Sequence, residues 1–196
     1  MSEPSPLVPL RFDMSDMVRR SVATLYSHLV TRPTGQALRL GIEAQISELG
    51  AVCLTVLDFT EVVVLDYSCA DETLAKLIKR FQRDDRPAEA YFLARGIDDR
   101  HRETIEAVLG RQRLAVAAEL ADGERTVLGE LSHTEREVWR ALDRLARGAA
   151  ADIARDARTA ETDALEALES LARHRVVVRT ASPHTYLALR PLLGEG

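Results

Sequence analysis

The sequence predicts an α/β unit with a mixed sheet over residues 1–125, joined to a small unit of three helices and two short strands over residues 126–196. Three observations carry this expectation. The run AVCLTVLDF at 51–59 is almost wholly apolar, as in a central strand covered on both faces. Strand and helix patterns alternate from there to residue 118, the order that builds a mixed or mostly parallel sheet. After the AspGlyGlu turn at 122–124 the pattern changes to amphipathic helices.

Leu7 to Phe12, short and apolar, suits an edge strand. Asp13 then opens a helical pattern with Val18, Val22, Leu25 and Leu29 on one stripe, ending near Thr31. Pro33 separates it from a helix over Thr34 to Leu49, with Leu38, Ile42, Ile46 and Leu49 inward and Gly50 as its stop. After the strand at 51–59 and a short apolar run from Val62 to Leu65, DYSCADETLAKLIKRF begins a helix that turns Ala70, Leu74, Leu77, Ile78 and Phe81 inward. A strand at Ala90 to Ala94, a helix at Asp99 to Leu109 and a strand at Leu114 to Ala118 complete the first unit. The boundary falls near Gly129. Beyond it come helices at about 133–147, 149–156 and 160–173, then strands at Val176 to Arg179 and Tyr186 to Leu189.

Composition narrows the class. With 196 residues, 46% hydrophobic and 29% charged, the chain reads as ordinary globular protein with room for two small cores. Its formal charge of −5 opposes indiscriminate binding to phosphate. No apolar run approaches the roughly 20 residues of a membrane helix, and MSEPSPLVPLRFD has no basic stretch followed by an apolar one, so a cytoplasmic protein without membrane contact is expected. Cys53 and Cys69 belong to no ligand spacing. His28, His101, His133, His174 and His184 are scattered, and none is read as catalytic. No phosphate-binding glycine loop or nucleophile elbow occurs. No cofactor and no metal are expected, and the protein is read as non-enzymatic.

One segment concentrates polar chemistry. In LDFTEVVVLDYSCADETLAKLI, residues 57–78, the carboxylates Asp58, Asp66, Asp71 and Glu72 flank a loop and a helix start that also carries Tyr67 and Ser68. Ser68 and Asp71 have capping-box spacing, in which the serine oxygen accepts a backbone N–H and the acid reaches back. Capping is the reading adopted. A metal or hydrolytic role would require the four carboxylates to converge on one cavity. Cys69 at this helix start is read as buried filler in preference to a redox-sensing thiol.

This segment resembles the strand, loop and helix of STAS domains, the family of anti-sigma-factor antagonists, and is most similar to a STAS-like bacterial subfamily of uncharacterised function. The order of elements over about 7–120 agrees. In the antagonists that switch partners, the loop carries an Asp-Ser pair whose serine is phosphorylated, and the added charge of about −2 ejects the partner. Asp66 matches that aspartate, but Tyr67 stands at the phosphoacceptor position, Ser68 follows it, and Cys69 replaces the usual glycine. The resemblance therefore implies a regulatory loop of Asp66, Tyr67, Ser68, Asp71 and Glu72, with phosphorylation at Tyr67 or Ser68 left open.

LSHTEREVWRALDRL opens the second unit with Ser132 and Glu135 in capping-box spacing and Val138, Leu142 and Leu145 on the buried stripe. Three helices followed by a strand pair is the order of a winged helix-turn-helix, and residues 131–190 resemble winged-helix transcription regulators. The third helix, where a DNA reader carries Arg, Lys, Asn or Gln, offers Glu161, Asp163, Glu166 and Glu169. Arg155, Arg158, Arg173, Arg175 and Arg179 flank it as contacts for DNA or for a protein partner. Residues 126–196 hold ten Arg against eleven Asp or Glu, a balance of −1. Two readings stand: a regulatory adaptor that holds a protein partner in transcription or signalling control, and a DNA-binding regulator with a sensing or dimerising first unit. Symmetric self-association as a homodimer is compatible with either.

Overall fold

The structure, a computed structural model, describes residues 8–13, 28–49 and 52–193. Most of the expected helix at 13–31, Gly50 and Ala51 lie outside these. Ten strands and seven helices are assigned among the described residues. The main sheet contains β1 (Val8–Asp13), β3 (Cys53–Asp58), β5 (Ala90–Ile97), β6 (Ala115–Leu120) and β7 (Arg125–Gly129), in the order β1-β3-β5-β6-β7. The first four are parallel and β7 closes the edge antiparallel to β6, so the sheet is mixed. Strand β1 is the expected edge. A second short parallel pair joins β2 (His28–Leu29) to β4 (Val64–Leu65). Leu29, expected at the end of a helix, is thus a strand residue.

Helix α1 (Arg32–Leu49) begins two residues earlier than expected, because Pro33 falls in the first turn, where a missing N–H costs nothing. Tyr67 to Gln82 run on as one rod: α2 (Tyr67–Ala70), a π-helical turn (Asp71–Ala75) and α3 (Lys76–Gln82). Helix α4 (Asp99–Gln112) starts at Asp98, whose carboxylate accepts the His101 backbone N–H at 2.9 Å. Leu38, Ile42 and Ile46 of α1, the predicted apolar positions of the 67–82 rod, and Ile105, Val108 and Leu109 of α4 all pack on one face of the sheet. Leu49, the last residue of α1, is exposed.

The last third of the chain is α5 (His133–Leu145), β8 (Arg147–Ala149), α6 (Ala150–Ala157), α7 (Glu161–Arg173), β9 (Val177–Arg179) and β10 (Thr185–Ala188), with a 3-10 turn at Arg190–Leu193. These bounds meet the expected ones within about two residues, and β8 adds a third strand in the antiparallel order β8-β10-β9. The predicted reciprocal cap forms: Ser132 N–H donates to Glu135 at 2.6 Å and Glu135 N–H to Ser132 Oγ at 3.2 Å. Leu145 is exposed, not buried as expected, and Trp139 takes its place on the inner side.

Strand alternation decides how the two parts sit. Cys53, Leu57, Ala90, Phe92, Val116 and Ala118 point to the α1–α4 side. Their neighbours Leu54, Val56, Tyr91, Leu93, Ala115 and Ala117 belong to a second core with Val138, Trp139, Leu142, Ile153, Leu168, Leu171 and Tyr186. Successive side chains of a strand must point to opposite faces, so the C-terminal helices form the second covering layer of the same sheet. Polar ties lock this layer down. Arg136 donates to the Val127 and Gly129 carbonyls at 2.6 and 2.7 Å, and Arg125 pairs with the buried Asp143 at 2.8 Å. The boundary expected after residue 125 coincides with the start of β7, which hydrogen-bonds to β6 of the first part.

Because Trp139 is the only tryptophan and lies in the shared core, its fluorescence and far-UV circular dichroism are expected to give coincident urea transitions. Trp139→Ala should cost about 3–5 kcal/mol. Separate transitions would mean that the two parts unfold independently.

Candidate functional site

The helix start at 66–72 is built differently from the expected capping box. The N-cap is Asp66: one carboxylate oxygen accepts the Ser68 backbone N–H at 2.8 Å and the Ser68 hydroxyl at 2.6 Å. Ser68 is therefore a donor to the cap and not the cap itself, because Asp66 already occupies the extended residue from which a side chain can reach the first turn. The hydrogen bonds from the Ser68 hydroxyl and backbone hold the Asp66 carboxyl below its ordinary range. Tyr67 packs against the first core, and its hydroxyl engages Arg111 of α4.

Asp71 and Glu72 do not reach back to Ser68. They lie in the π-helical turn, closed by the Lys76 N–H to the Asp71 carbonyl, where α1 crosses the rod. Gly35 makes the crossing possible: a Cβ there would sit 2.7 Å from the Cys69 carbonyl oxygen and 2.9 Å from Glu72 Cβ. Glu72, with a side chain only 5% exposed, accepts from Arg32 at 2.7 Å and from Lys76, with Arg39 3.9 Å away. Asp71 accepts from Gln112 at 3.1 Å and lies 3.5 Å from Arg32. Burial works to raise the Glu72 carboxyl, but hydrogen bonds from Lys76 and Arg32, together with their charges, outweigh it and leave the pKa lowered. Arg32, Arg39, Lys76, Arg111 and Gln112 are the partners that sequence reading missed. Only Lys76, one helical turn from Glu72, carries a local signal.

Each of the four carboxylates already has partners: Asp66 and Asp58 within two residues, Asp71 and Glu72 on α1 and α4 as well as on the rod. Asp58 accepts from the Thr60 N–H and hydroxyl at 3.0 and 2.6 Å. Among the described residues there is no group of three or more His, Cys, Asp or Glu placed to hold a metal ion. Cys69 is buried and its thiol is pushed up to about 11 by burial, the behaviour of core filler.

The five arginines do not gather into one patch. Arg175, expected as an outward contact, is turned in: its side chain is 11% exposed, it donates to Glu89 at 2.7 Å and to the Ala90 carbonyl at 3.1 Å, and it lies over the Tyr91 ring at 5.4 Å. Its left-handed backbone (φ 60°) follows the α7 terminus and turns the side chain toward the main sheet. Arg179 is spent on Glu169, which also accepts from Tyr186. Arg155 pairs with Asp152 at 3.0 Å. Arg158 and Arg173 are exposed and form no ion pair among the described residues.

Glu161, Asp163 and Glu166 stand exposed on α7, while Ala164, Ala167, Leu168 and Leu171 face the core. Between the start of α5 and α7 runs an open groove of about 360 Å³, lined by Thr134, Glu135, Asp163, Glu166, Ser170 and Arg173 among others. Burial favours the neutral acid at Glu135, but hydrogen bonds from Ser170 and Ser132 prevail and lower its pKa. The face is acidic. No protein-family model matches the chain, and no curated protein sequence matches it significantly. Among the described residues no helix is long and apolar enough to cross a membrane.

Glu72→Gln is expected to lower stability at pH 7 by about 1 kcal/mol, since it removes the buried charged acceptor that Arg32 and Lys76, both partly exposed, share. The folded-state pKa of Glu72 lies below its unfolded value, so this contribution is complete above the unfolded pKa and disappears as pH falls through the lowered one. Urea unfolding of both proteins across the acid range checks it: the gap should close at the acid end.

Proposed function

We propose that the protein is a non-enzymatic regulatory adaptor in transcription or signalling control. In this reading a STAS-like α/β half presents the helix start at Asp66 and Ser68, held from behind by Tyr67, Asp71 and the buried Glu72, and a winged-helix half presents α7. One observation carries the proposal: the outward side of the helix that would read DNA is acidic, at Glu161, Asp163 and Glu166, while Arg175 and Arg179 beside it are already bonded within the chain. A groove lined by Glu135, Asp163, Glu166 and hydroxyls, against the cation Arg173, suits a basic protein segment better than phosphate.

The 66–72 segment suits a second contact surface. Asp66 is exposed, and the Ser68 hydroxyl rests in a local bond from which a modifying enzyme could draw it. A phosphate on Ser68 would meet the Asp66 carboxylate as a like charge and break the cap bond that the hydroxyl now makes.

Direct DNA binding is the second reading, favoured by Arg158 and Arg173, which remain exposed at the two ends of α7. Cross-linked capture with the full chain, followed by gel shift at moderate salt, separates the two. The adaptor reading expects a protein partner whose recovery falls about tenfold in the Glu161→Lys, Asp163→Lys, Glu166→Lys variant, with no retarded DNA. Retarded DNA that survives moderate salt and is lost in Arg158→Glu, Arg173→Glu would replace it.

A further inference from the structure

The elements that meet near Gly35 cover their carboxylates and leave their cations outside. Glu72 and Asp71 have side chains only 5% and 13% exposed. Arg32 of α1 and Lys76 of α3, which donate to Glu72, are 53% and 42% exposed. On the α4 side, Gln112 donates to Asp71 at 3.1 Å and accepts from Lys79 at 3.1 Å, and Arg111 engages the Tyr67 hydroxyl. Lys79 and Arg111 are themselves exposed. These bonds join α1, the 67–82 rod and α4 into one continuous surface, on the face of the sheet opposite α7.

The surface is basic on balance. Arg32, Arg39, Lys76, Lys79 and Arg111 stand against Asp71, Glu72 and Glu43, the last paired with Arg39 at 2.8 Å. Asp66 lies at the margin and is taken up by Ser68. Ammonium and guanidinium groups each carry several N–H donors, and these use only some of them. Arg32 bonds through Nη1, and the acceptor of Lys79 among the described residues is the neutral Gln112. The other donors of these exposed side chains are left to water. Because the bonds beneath hold the cations in place, they lose less freedom when a partner binds. The π-helical turn at Asp71–Ala75, which sets these groups side by side, is a form that helices frequently keep at functional sites.

Charge sets the class of partner. A nucleic acid is held through a run of cations, on the order of six to ten phosphate contacts, and here Asp71, Glu72 and Glu43 lie among the cations. An acidic protein segment asks for less: a few carboxylates, each accepting from an exposed guanidinium or ammonium group. The acidic α7 of the same molecule cannot be the occupant, since it packs on the other face of the sheet. We propose that this surface docks an acidic segment of a protein partner, its carboxylates on Arg32, Lys76, Lys79 and Arg111. Within the adaptor reading, on which this assignment rests, the α/β half thus holds a segment opposite in charge to the one assigned to α7.

Fluorescence anisotropy of a labelled synthetic peptide of alternating glutamate and serine, titrated with the full chain, tests the surface, with labelled duplex DNA as the other class. The glutamate peptide is expected to bind, and to bind less as salt rises. Lys79→Glu with Arg111→Glu should weaken it about tenfold, and Lys79→Ala alone about twofold, the size expected of exposed charges. Arg158→Glu with Arg173→Glu, which removes as much positive charge from the ends of α7, should leave it unchanged. Trp139 fluorescence and far-UV circular dichroism show that each variant is folded. Absence of glutamate-peptide binding at millimolar concentration, equal loss in the two double variants, or tighter DNA binding that Lys79→Glu with Arg111→Glu abolishes each overturns the proposal. Self-association of the chain abolished by that same variant also overturns it, since a second copy would then be the occupant. Partner capture through α7 is read separately with the Glu161→Lys, Asp163→Lys, Glu166→Lys variant, so failure here leaves the adaptor reading standing.

Discussion

Strands β3, β5 and β6 present apolar side chains on both faces, and a sheet with two apolar faces needs two covering layers. The helices that connect the parallel strands supply one layer. The three C-terminal helices supply the other. Trp139, Leu168 and Tyr186 join Leu54, Val56 and Leu93 in one core. The position of the C-terminal helices thus follows from strand alternation, which sends residues 53 and 54 to opposite sides of the sheet.

That docking alters the chemistry available at the surface. Arg175 and Arg136 serve the joint between the layers, bonding to backbone carbonyls and to Glu89. A guanidinium held in this way has its donors directed inward and its charge matched, and it has little left for a phosphate backbone. Acidic side chains on the outward face of α7 remain exposed, with Arg158 and Arg173 at its two ends. The same tertiary contact that stabilises the fold therefore bears on what the third helix can meet.

The helix start at 66–72 follows a similar logic on the opposite face. A close approach of α1 at Gly35 and a π-helical turn bring Glu72 under three cations. Buried carboxylates persist only when paired, and here the pairing joins α1 to the rod. The acids that drew attention in the sequence thus divide by role: Asp66 caps, Asp71 and Glu72 bind neighbouring elements, and only Asp66 with Ser68 stays open to solvent. At the strand ends, the bulge at Gly96, with φ 72°, is a local departure from regular pairing that lets β5 pass close to Thr60.

Periodicity and local punctuation were enough to place the strands at 53–58, 90–97 and 115–120 and the helices from α3 onward, because side-chain alternation and capping are decided within a few residues. The Ser132 and Glu135 cap was legible for that reason. Strand β7 was missed because its pattern is short and its pairing to β6 lies outside local sequence logic. Asp66 displaced Ser68 as the cap because both residues are competent and only the backbone conformation at Asp66 chose between them. The fate of Arg175 and the pairing of Glu72 with Arg32 depend on residues 86 and 40 positions away along the chain. Sequence by itself determined the elements and their inward faces, since these rest on local backbone geometry. Tertiary structure alone decided which charges are spent and which are left to act, since an ion pair or a burial exists only once distant segments have been brought into contact.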